Sequence, residues 1–161
     1  MLSFYEYLET LKKKYVALQV SQESTAKLRE YAKENGFDLT VSFSDEPQKE
    51  TDFDFHVTVY FTTNTHRMTN GIFDIPEFEI HPTQLKVLGV NEDIPVIGIE
   101  PSGQLMTYRN RYTRLGFRDA WPDYLPHISL SYNRKEYDMS KIPLPNFPIT
   151  VNKLKVADVK E

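Results

Sequence analysis

The sequence predicts an α+β fold of two pseudo-symmetric lobes, each an antiparallel sheet with flanking helices, around a central cleft. Three observations lead to this prediction. Strand-favouring aromatic residues are abundant, with ten Tyr and ten Phe among 161 residues. Each half of the chain offers a strand, then a helix, then a second strand. In each half that second strand carries His, one apolar residue, and then Thr or Ser: FHVTVYF first and PHISLSY later.

The first half of the chain has clear helix signals between its strands. Ser21 is a suitable N-cap, and Asn35-Gly36 is a suitable helix end. The predicted elements are a short amphipathic helix at 1–14, a strand at 15–20, a helix at 21–36, a strand at 37–43 and a strand at 54–61.

The second half repeats this order loosely. Its helix is predicted to begin after Ser102 and to end at Gly116. Prolines at 143, 145 and 148 favour an extended connection before the last strand. The predicted elements are strands at 77–80, 85–90 and 94–100, a helix at 101–116, and strands at 127–132 and 149–159. No linker separates the halves, so residues 1–161 are interpreted as one domain of two lobes.

Composition narrows the classes of partner. The formal net charge of −4 argues against a long nucleic acid, although a local cluster of donors can still hold a small anion. The chain has no cysteine, which excludes disulfides and thiolate metal sites and permits a reducing compartment. No apolar run is long enough for a signal peptide or a membrane span, so a cytoplasmic protein is expected.

The two motif strands are expected to be two-faced, because alternate side chains of a strand share a face. In the first strand, apolar positions 53, 55, 57, 59 and 61 share one face. His56, Thr58 and Tyr60 share the other. In the second strand, His127, Ser129 and Ser131 share one face, and Ile128, Leu130 and Tyr132 share the apolar one.

Two histidines with two hydroxyls are suited to a phosphodiester reaction that needs no metal. A neutral imidazole can take a proton from an attacking hydroxyl, and a protonated one can give a proton to the leaving oxygen. Thr58 and Ser129 would then donate hydrogen bonds to the non-bridging oxygens. No metal-ligand motif, phosphate-binding glycine loop or nucleophile elbow occurs in the chain, so neither cofactor nor metal is expected.

The spacing alone does not prove a site. His81 also precedes a hydroxyl by two residues, but Pro82 would interrupt the strand ladder there. A loop or a solvated surface is expected for both His66 and His81. For His56 and His127 the structural alternative, two ordinary half-exposed strand histidines, stays open on pattern alone.

The paired strands FHVTVYF and PHISLSY resemble the two His-x-(Thr/Ser) motifs of the 2H phosphoesterase superfamily. The length, the opening FYEYL and the segment YVALQVSQES are similar, more narrowly, to the phage anti-CBASS cyclic-nucleotide phosphodiesterases. The resemblance covers most of the chain. It implies an acid–base pair of His56 and His127, with Thr58 and Ser129 as phosphate-holding hydroxyls.

The resemblance also implies a substrate and a setting. The substrate would be a cyclic di- or trinucleotide signal of bacterial antiviral defence, cleaved at a 3′,5′ linkage in the host cytoplasm by attack of the ribose 2′-hydroxyl. Two alternatives stay open. One is a 2H phosphoesterase acting on RNA ends, 2′,3′-cyclic phosphates or 2′-5′ linkages. The other is a module that sequesters a cyclic nucleotide without cleaving it.

Aromatic side chains near the motifs are candidates for binding nucleobases, since stacking tolerates any base. Tyr15, Tyr60 and Trp121 are the predicted substrate-binding residues, with ordinary packing as the structural alternative. Four arginines lie within 109–118, and their predicted role is either a solvated helix face or a phosphate clamp. Lys12, Lys13 and Lys14 are expected on the surface.

Overall fold

The computed structural model describes residue 3 and residues 11–159. Most of the helix predicted at 1–14 lies outside this part of the chain. Residues 12–14, which do lie inside it, belong to a strand and not to that helix. No helix in the described part is both long and apolar enough to cross a membrane.

The first sheet has four antiparallel strands in the order β2-β1-β7-β3. The strand that carries the first motif, β2, therefore lies at an edge. The bounds are β1 Lys12–Val20, β2 His56–His66, β3 Gly71–Ile80 and β7 Ile149–Asp158. β7 enters the middle of this sheet although it is last in the chain, so the closing segment completes the first lobe.

The second sheet has three antiparallel strands in the order β4-β5-β6. The strand that carries the second motif, β6, is again at an edge. The bounds are β4 Pro82–Leu88, β5 Ile94–Ile99 and β6 His127–Ser129. The edge strands β2 and β6 lie next to each other, which brings the two motifs together at the junction of the sheets.

Within the described residues, two α-helices accompany the sheets, α1 (Gln22–Glu34) and α2 (Gly103–Arg114). The predicted N-cap of α1 is confirmed, because the Ser21 side chain accepts a hydrogen bond from the Ser24 amide. Ser102 occupies the N-cap position of α2 in extended conformation but makes no side-chain cap bond. Gly36 and Gly116 follow the helices at φ +80° and +91°, a backbone region that favours glycine. The α+β architecture of two antiparallel sheets with helices is thus confirmed.

Three local predictions are wrong. The strand expected at 37–43 does not form. Phe37 and Leu39 pack in the core, and only an isolated bridge joins Val41 to Pro47. The second motif strand ends at Ser129, short of residue 132. Lys14, expected on the surface, is 3% exposed because its ammonium group pairs with Asp158 at 2.6 Å.

Candidate active site

The motif histidines open the two edge strands, His56 as the first residue of β2 and His127 as the first residue of β6. The residues that follow them, Val57 and Ile128, are fully buried. Period-two alternation therefore turns both imidazoles away from the core, and both rings are partly exposed.

Both imidazoles are held by the same hydrogen bond. Nδ1 of His56 lies 3.0 Å from the carbonyl oxygen of Asp54, and Nδ1 of His127 lies 2.8 Å from that of Leu125. In each case the partner is the residue two positions earlier. A carbonyl only accepts, so Nδ1 carries the hydrogen and Nε2 of the neutral ring keeps its lone pair for proton transfer.

The electrostatics of the two rings differ. Burial lowers the pKa of His127 below its ordinary value of 6.5, against the opposing effect of the Leu125 carbonyl. Positive charge on His56 and on Lys86 lowers the His127 pKa further. His56 has the carboxylate of Asp54 3.5 Å from its Nδ1. At neutral pH the His127 ring is thus favoured as a neutral proton acceptor.

Each motif hydroxyl contacts a tyrosine. The Thr58 hydroxyl donates to the phenol oxygen of Tyr15 at 3.3 Å. Burial raises the pKa of the Tyr132 phenol, and the Ser129 hydroxyl beside it opposes that effect. Burial also raises the Tyr15 pKa, so both phenols stay protonated and can donate hydrogen bonds.

Tyr15 therefore has a contact that the sequence did not predict. Its ring stands edge-on to the His56 imidazole, with centroids 6.0 Å apart, and its hydroxyl reaches Thr58. Its predicted role in base binding stays a prediction. Tyr132 was missed, because alternation assigned it to the apolar face of a strand that in fact ends at Ser129.

A β-bulge reverses the predicted faces of β2 beyond Thr58. On β1, Val16 pairs with Tyr60 and Ala17 pairs with Thr58, so Val59 is an extra residue. Tyr60 consequently turns into the core, where it is 4% exposed and its hydroxyl lies 2.5 Å from that of Thr113. The prediction that Tyr60 shares the face of His56 is wrong for this reason, and its burial argues against contact with a substrate.

The same bulge brings Phe61 to the cleft side of the sheet. Its ring lies 6.3 Å from Tyr15 and 5.3 Å from Trp121. Trp121 is 59% exposed, and it is held beside β2 by a hydrogen bond from the Ala120 amide to the Phe61 carbonyl at 2.9 Å. Tyr15, Phe61 and Trp121 thus form a row of rings that begins at Thr58 and ends at the surface.

Arg109 braces this bulge. Its guanidinium group donates to the Val59 carbonyl at 2.6 Å and to the Asp119 carboxylate at 2.7 Å. It also lies between two aromatic rings, 4.1 Å from Tyr60 and 3.9 Å from Tyr124. The Tyr124 hydroxyl donates to the Thr58 carbonyl at 2.7 Å.

This network joins the two motifs, because Tyr124 lies just before β6 while Thr58 belongs to β2. The four arginines at 109–118 consequently differ in role. Arg109 is structural, whereas Arg111, Arg114 and Arg118 are exposed.

The other histidines lie outside this arrangement. His66 stacks on Phe117 at 4.0 Å, and His81 is exposed with the carboxylate of Glu79 3.5 Å away. Ser131, on the predicted face of His127, is fully buried and donates to the Asp38 carbonyl at 2.6 Å. Within residues 3 and 11–159, no three His, Asp or Glu side chains group closely enough to hold a metal ion.

Comparison with known proteins identifies the family and the fold. The family model described as "Anti-CBASS protein Acb1" matches residues 12–161. Crystal structures of LigT from E. coli are similar in fold. One, complexed with 3′-AMP, has a TM-score of 0.58 at 15% identity and covers 94% of this chain and 90% of its own. Another, complexed with phosphate, has a TM-score of 0.53 at 13% identity and covers 94% and 88%. No curated protein matches the chain.

The family match spans nearly the whole described chain and includes both motif strands. The chain therefore belongs to the Acb1 family of anti-CBASS proteins, and its fold is that of the 2H phosphoesterases.

Proposed function

We propose that this protein is a metal-independent phosphodiesterase that cleaves the 3′,5′ linkages of the cyclic di- and trinucleotide signals of CBASS defence. The observation that carries the proposal is the matched pair of edge strands. Each presents an imidazole whose Nδ1 bonds to a carbonyl, with a hydroxyl two residues later. Membership of an anti-CBASS family supports the class of signal. The likeness to a protein crystallised with 3′-AMP and with phosphate supports a nucleotide ligand.

The first chemical step transfers two protons. His127, kept neutral by its lowered pKa, takes the proton of the ribose 2′-hydroxyl through Nε2. The 2′-oxygen attacks phosphorus, the bond from phosphorus to the 5′-oxygen breaks, and His56 gives its Nε2 proton to that oxygen. The products are a 2′,3′-cyclic phosphate and a free 5′-hydroxyl. The carboxylate of Asp54 lies 3.5 Å from Nδ1 of His56 and is opposite in charge to the imidazolium that donates this proton.

The hydroxyls act on the charge that develops at phosphorus. Thr58 and Ser129 each have one hydroxyl hydrogen, which they donate to the non-bridging oxygens. The Thr58 hydrogen that points to Tyr15 in the free protein turns to the substrate, and the protonated phenols of Tyr15 and Tyr132 lie beside the two hydroxyls and donate to them. In a second step the histidines exchange roles, and water opens the cyclic phosphate to a linear product that ends in a phosphate.

The proposal is tested by incubating the protein with 3′,3′-cyclic GMP–AMP in excess EDTA and separating the products by chromatography. A linear dinucleotide is expected from the wild-type protein. His56→Ala and His127→Ala should abolish its formation while the circular dichroism spectrum is retained. His81→Ala is the matched control, since this histidine is exposed and lies outside the site.

Other outcomes would overturn the proposal in favour of a named alternative. A ligand that is bound tightly but recovered intact would indicate sequestration. Turnover only of RNA ends, 2′,3′-cyclic phosphates or 2′-5′ oligonucleotides would indicate a different phosphodiester substrate. Turnover that EDTA abolishes would contradict the metal-independent mechanism.

A further inference from the structure

An exposed phenylalanine lies in a hydrogen-bonded loop between α1 and β2. Phe43 is 73% exposed. The loop around it is closed by hydrogen bonds from the Ser42 amide to the Glu46 carbonyl at 2.7 Å and from the Asp45 amide to the Ser42 carbonyl at 2.9 Å. The Ser42 hydroxyl also accepts from the Glu46 amide at 3.1 Å. The hydrogen-bonded backbone thus fixes the position of an exposed aromatic ring.

The ring of Phe43 leads directly to the second motif. It meets the ring of Tyr132 edge-on, with centroids 5.5 Å apart. Tyr132 stacks on the buried ring of Phe53 at 5.3 Å, and its phenol bonds to the Ser129 hydroxyl. A surface aromatic ring is therefore connected to a motif hydroxyl through one tyrosine.

The first motif has the matching arrangement. There the exposed ring is Trp121, which contacts Phe61, then Tyr15, then the Thr58 hydroxyl. Each half of the chain supplies the outer ring for the motif of the other half. The segment before β6 supplies the outer ring beside Thr58, and the segment before β2 supplies the outer ring beside Ser129. Each motif hydroxyl is thus linked to one exposed ring through the aromatic rings between them.

We propose that Phe43 stacks on one nucleobase of the cyclic dinucleotide, on the Ser129 side of the site, as the counterpart of Trp121. This inference rests on the proposed phosphodiesterase function and adds a substrate-binding residue to it. Stacking on an aromatic ring contributes enough that its removal weakens binding by about 5- to 150-fold.

The test compares two substrates and three variants. The substrates are 3′,3′-cyclic GMP–AMP, with two bases, and 2′,3′-cyclic AMP, with one. The variants are Phe43→Ala, Phe43→Trp, which restores a stacking ring, and Phe73→Ala. Phe73 is the matched control because it is also exposed, at 43%, and lies on β3 at the sheet edge opposite β2.

Phe43→Ala is expected to lower kcat/KM for the dinucleotide by about tenfold or more, chiefly through KM, and to leave kcat/KM for 2′,3′-cyclic AMP within about twofold. Phe43→Trp should restore the dinucleotide value, and Phe73→Ala should change neither. An unchanged dinucleotide value in Phe43→Ala would overturn the inference, as would an equal loss on both substrates. A wild-type protein that cleaves neither substrate would instead overturn the proposed function.

Discussion

Replacing Arg109 by methionine should destabilise the protein markedly, because one guanidinium group supports both the bulge in β2 and the segment before β6. The substitution removes the ion pair with Asp119, whose side chain, like that of Arg109, is only 12% exposed. It also removes the donor to the Val59 carbonyl at 2.6 Å. Breaking a buried pair by removing one partner costs about 3–5 kcal/mol, and the residual exposure favours the lower end. The free energy of unfolding should therefore fall by about 3 kcal/mol, which lowers Tm by about 6–12 °C in a domain of this size.

Urea denaturation followed by circular dichroism measures this loss. Arg114→Met is the matched control, since Arg114 is exposed on the same helix and should change stability by less than about 0.5 kcal/mol. Adding Asp119→Asn to the Arg109 variant should recover part of the loss, because the unpaired carboxylate is then removed. An Arg109→Met protein as stable as the control would refute the bracing role. Under conditions where the variant is folded, kcat should also fall, since the Thr58–Val59 backbone is no longer held.

The remaining predictions concern the reaction. Thr58→Val and Ser129→Ala should each lower kcat by about 10²–10³ with little change in KM, because these hydroxyls act mainly in the transition state. Steady-state kinetics measures both constants, and a change in KM alone would contradict this role. Lys86→Met removes a positive charge that lowers the pKa of His127, so this pKa should rise. The acid limb of the profile of kcat/KM against pH should then move to higher pH. A limb that stays in place or moves to lower pH would contradict the assignment of His127 as the base. Because the pKa of His127 is lowered by folding, its contribution to stability is complete above 6.5 and declines as the pH falls below it, which urea titrations at several pH values can compare with those of His127→Gln. A cyclic dinucleotide lacking both 2′-hydroxyls should bind and remain intact, and its cleavage would exclude 2′-oxygen attack.

A glycine on β5 lies between Lys86 on β4 and His127 on β6. Gly98 pairs with His127 across the second sheet, and a Cβ atom there would lie 3.3 Å from Cε of Lys86 and 2.9 Å from the Thr83 hydroxyl. The shorter contact, with Thr83, is the one that disfavours a side chain at position 98, and the lysine stem passes close to the same space.

The sequence predicted the parts of the site that depend on local periodicity. His56 and His127 could be placed on the open faces of their strands because period-two alternation holds around each of them. The helices could be predicted because Ser21, Gly36 and Gly116 are strong local signals. These features need only neighbouring residues.

The parts that were missed depend on distant partners. The bulge at Val59 reverses Tyr60 and Phe61, and it is stabilised by Arg109 from α2 and Tyr124 from the loop before β6. Neither contact leaves a pattern within β2 itself. Residues 37–43 alternate like a strand, yet in the part of the chain that the structure describes they pair only through the bridge from Val41 to Pro47. Strand pairing is a property of the sheet, which local alternation cannot report.

The central claim is that the imidazoles of His56 and His127 face one shared cleft. Imidazole ¹⁵N NMR during titration with the uncleavable 2′-deoxy cyclic dinucleotide tests it most directly, since the chain has only four histidines and His66 and His81 serve as internal controls. The Nε2 resonances of His56 and His127 are expected to shift together and to saturate at one ligand per chain, while the two controls stay in place. A response from only one of the pair, or saturation at two ligands per chain, would contradict it.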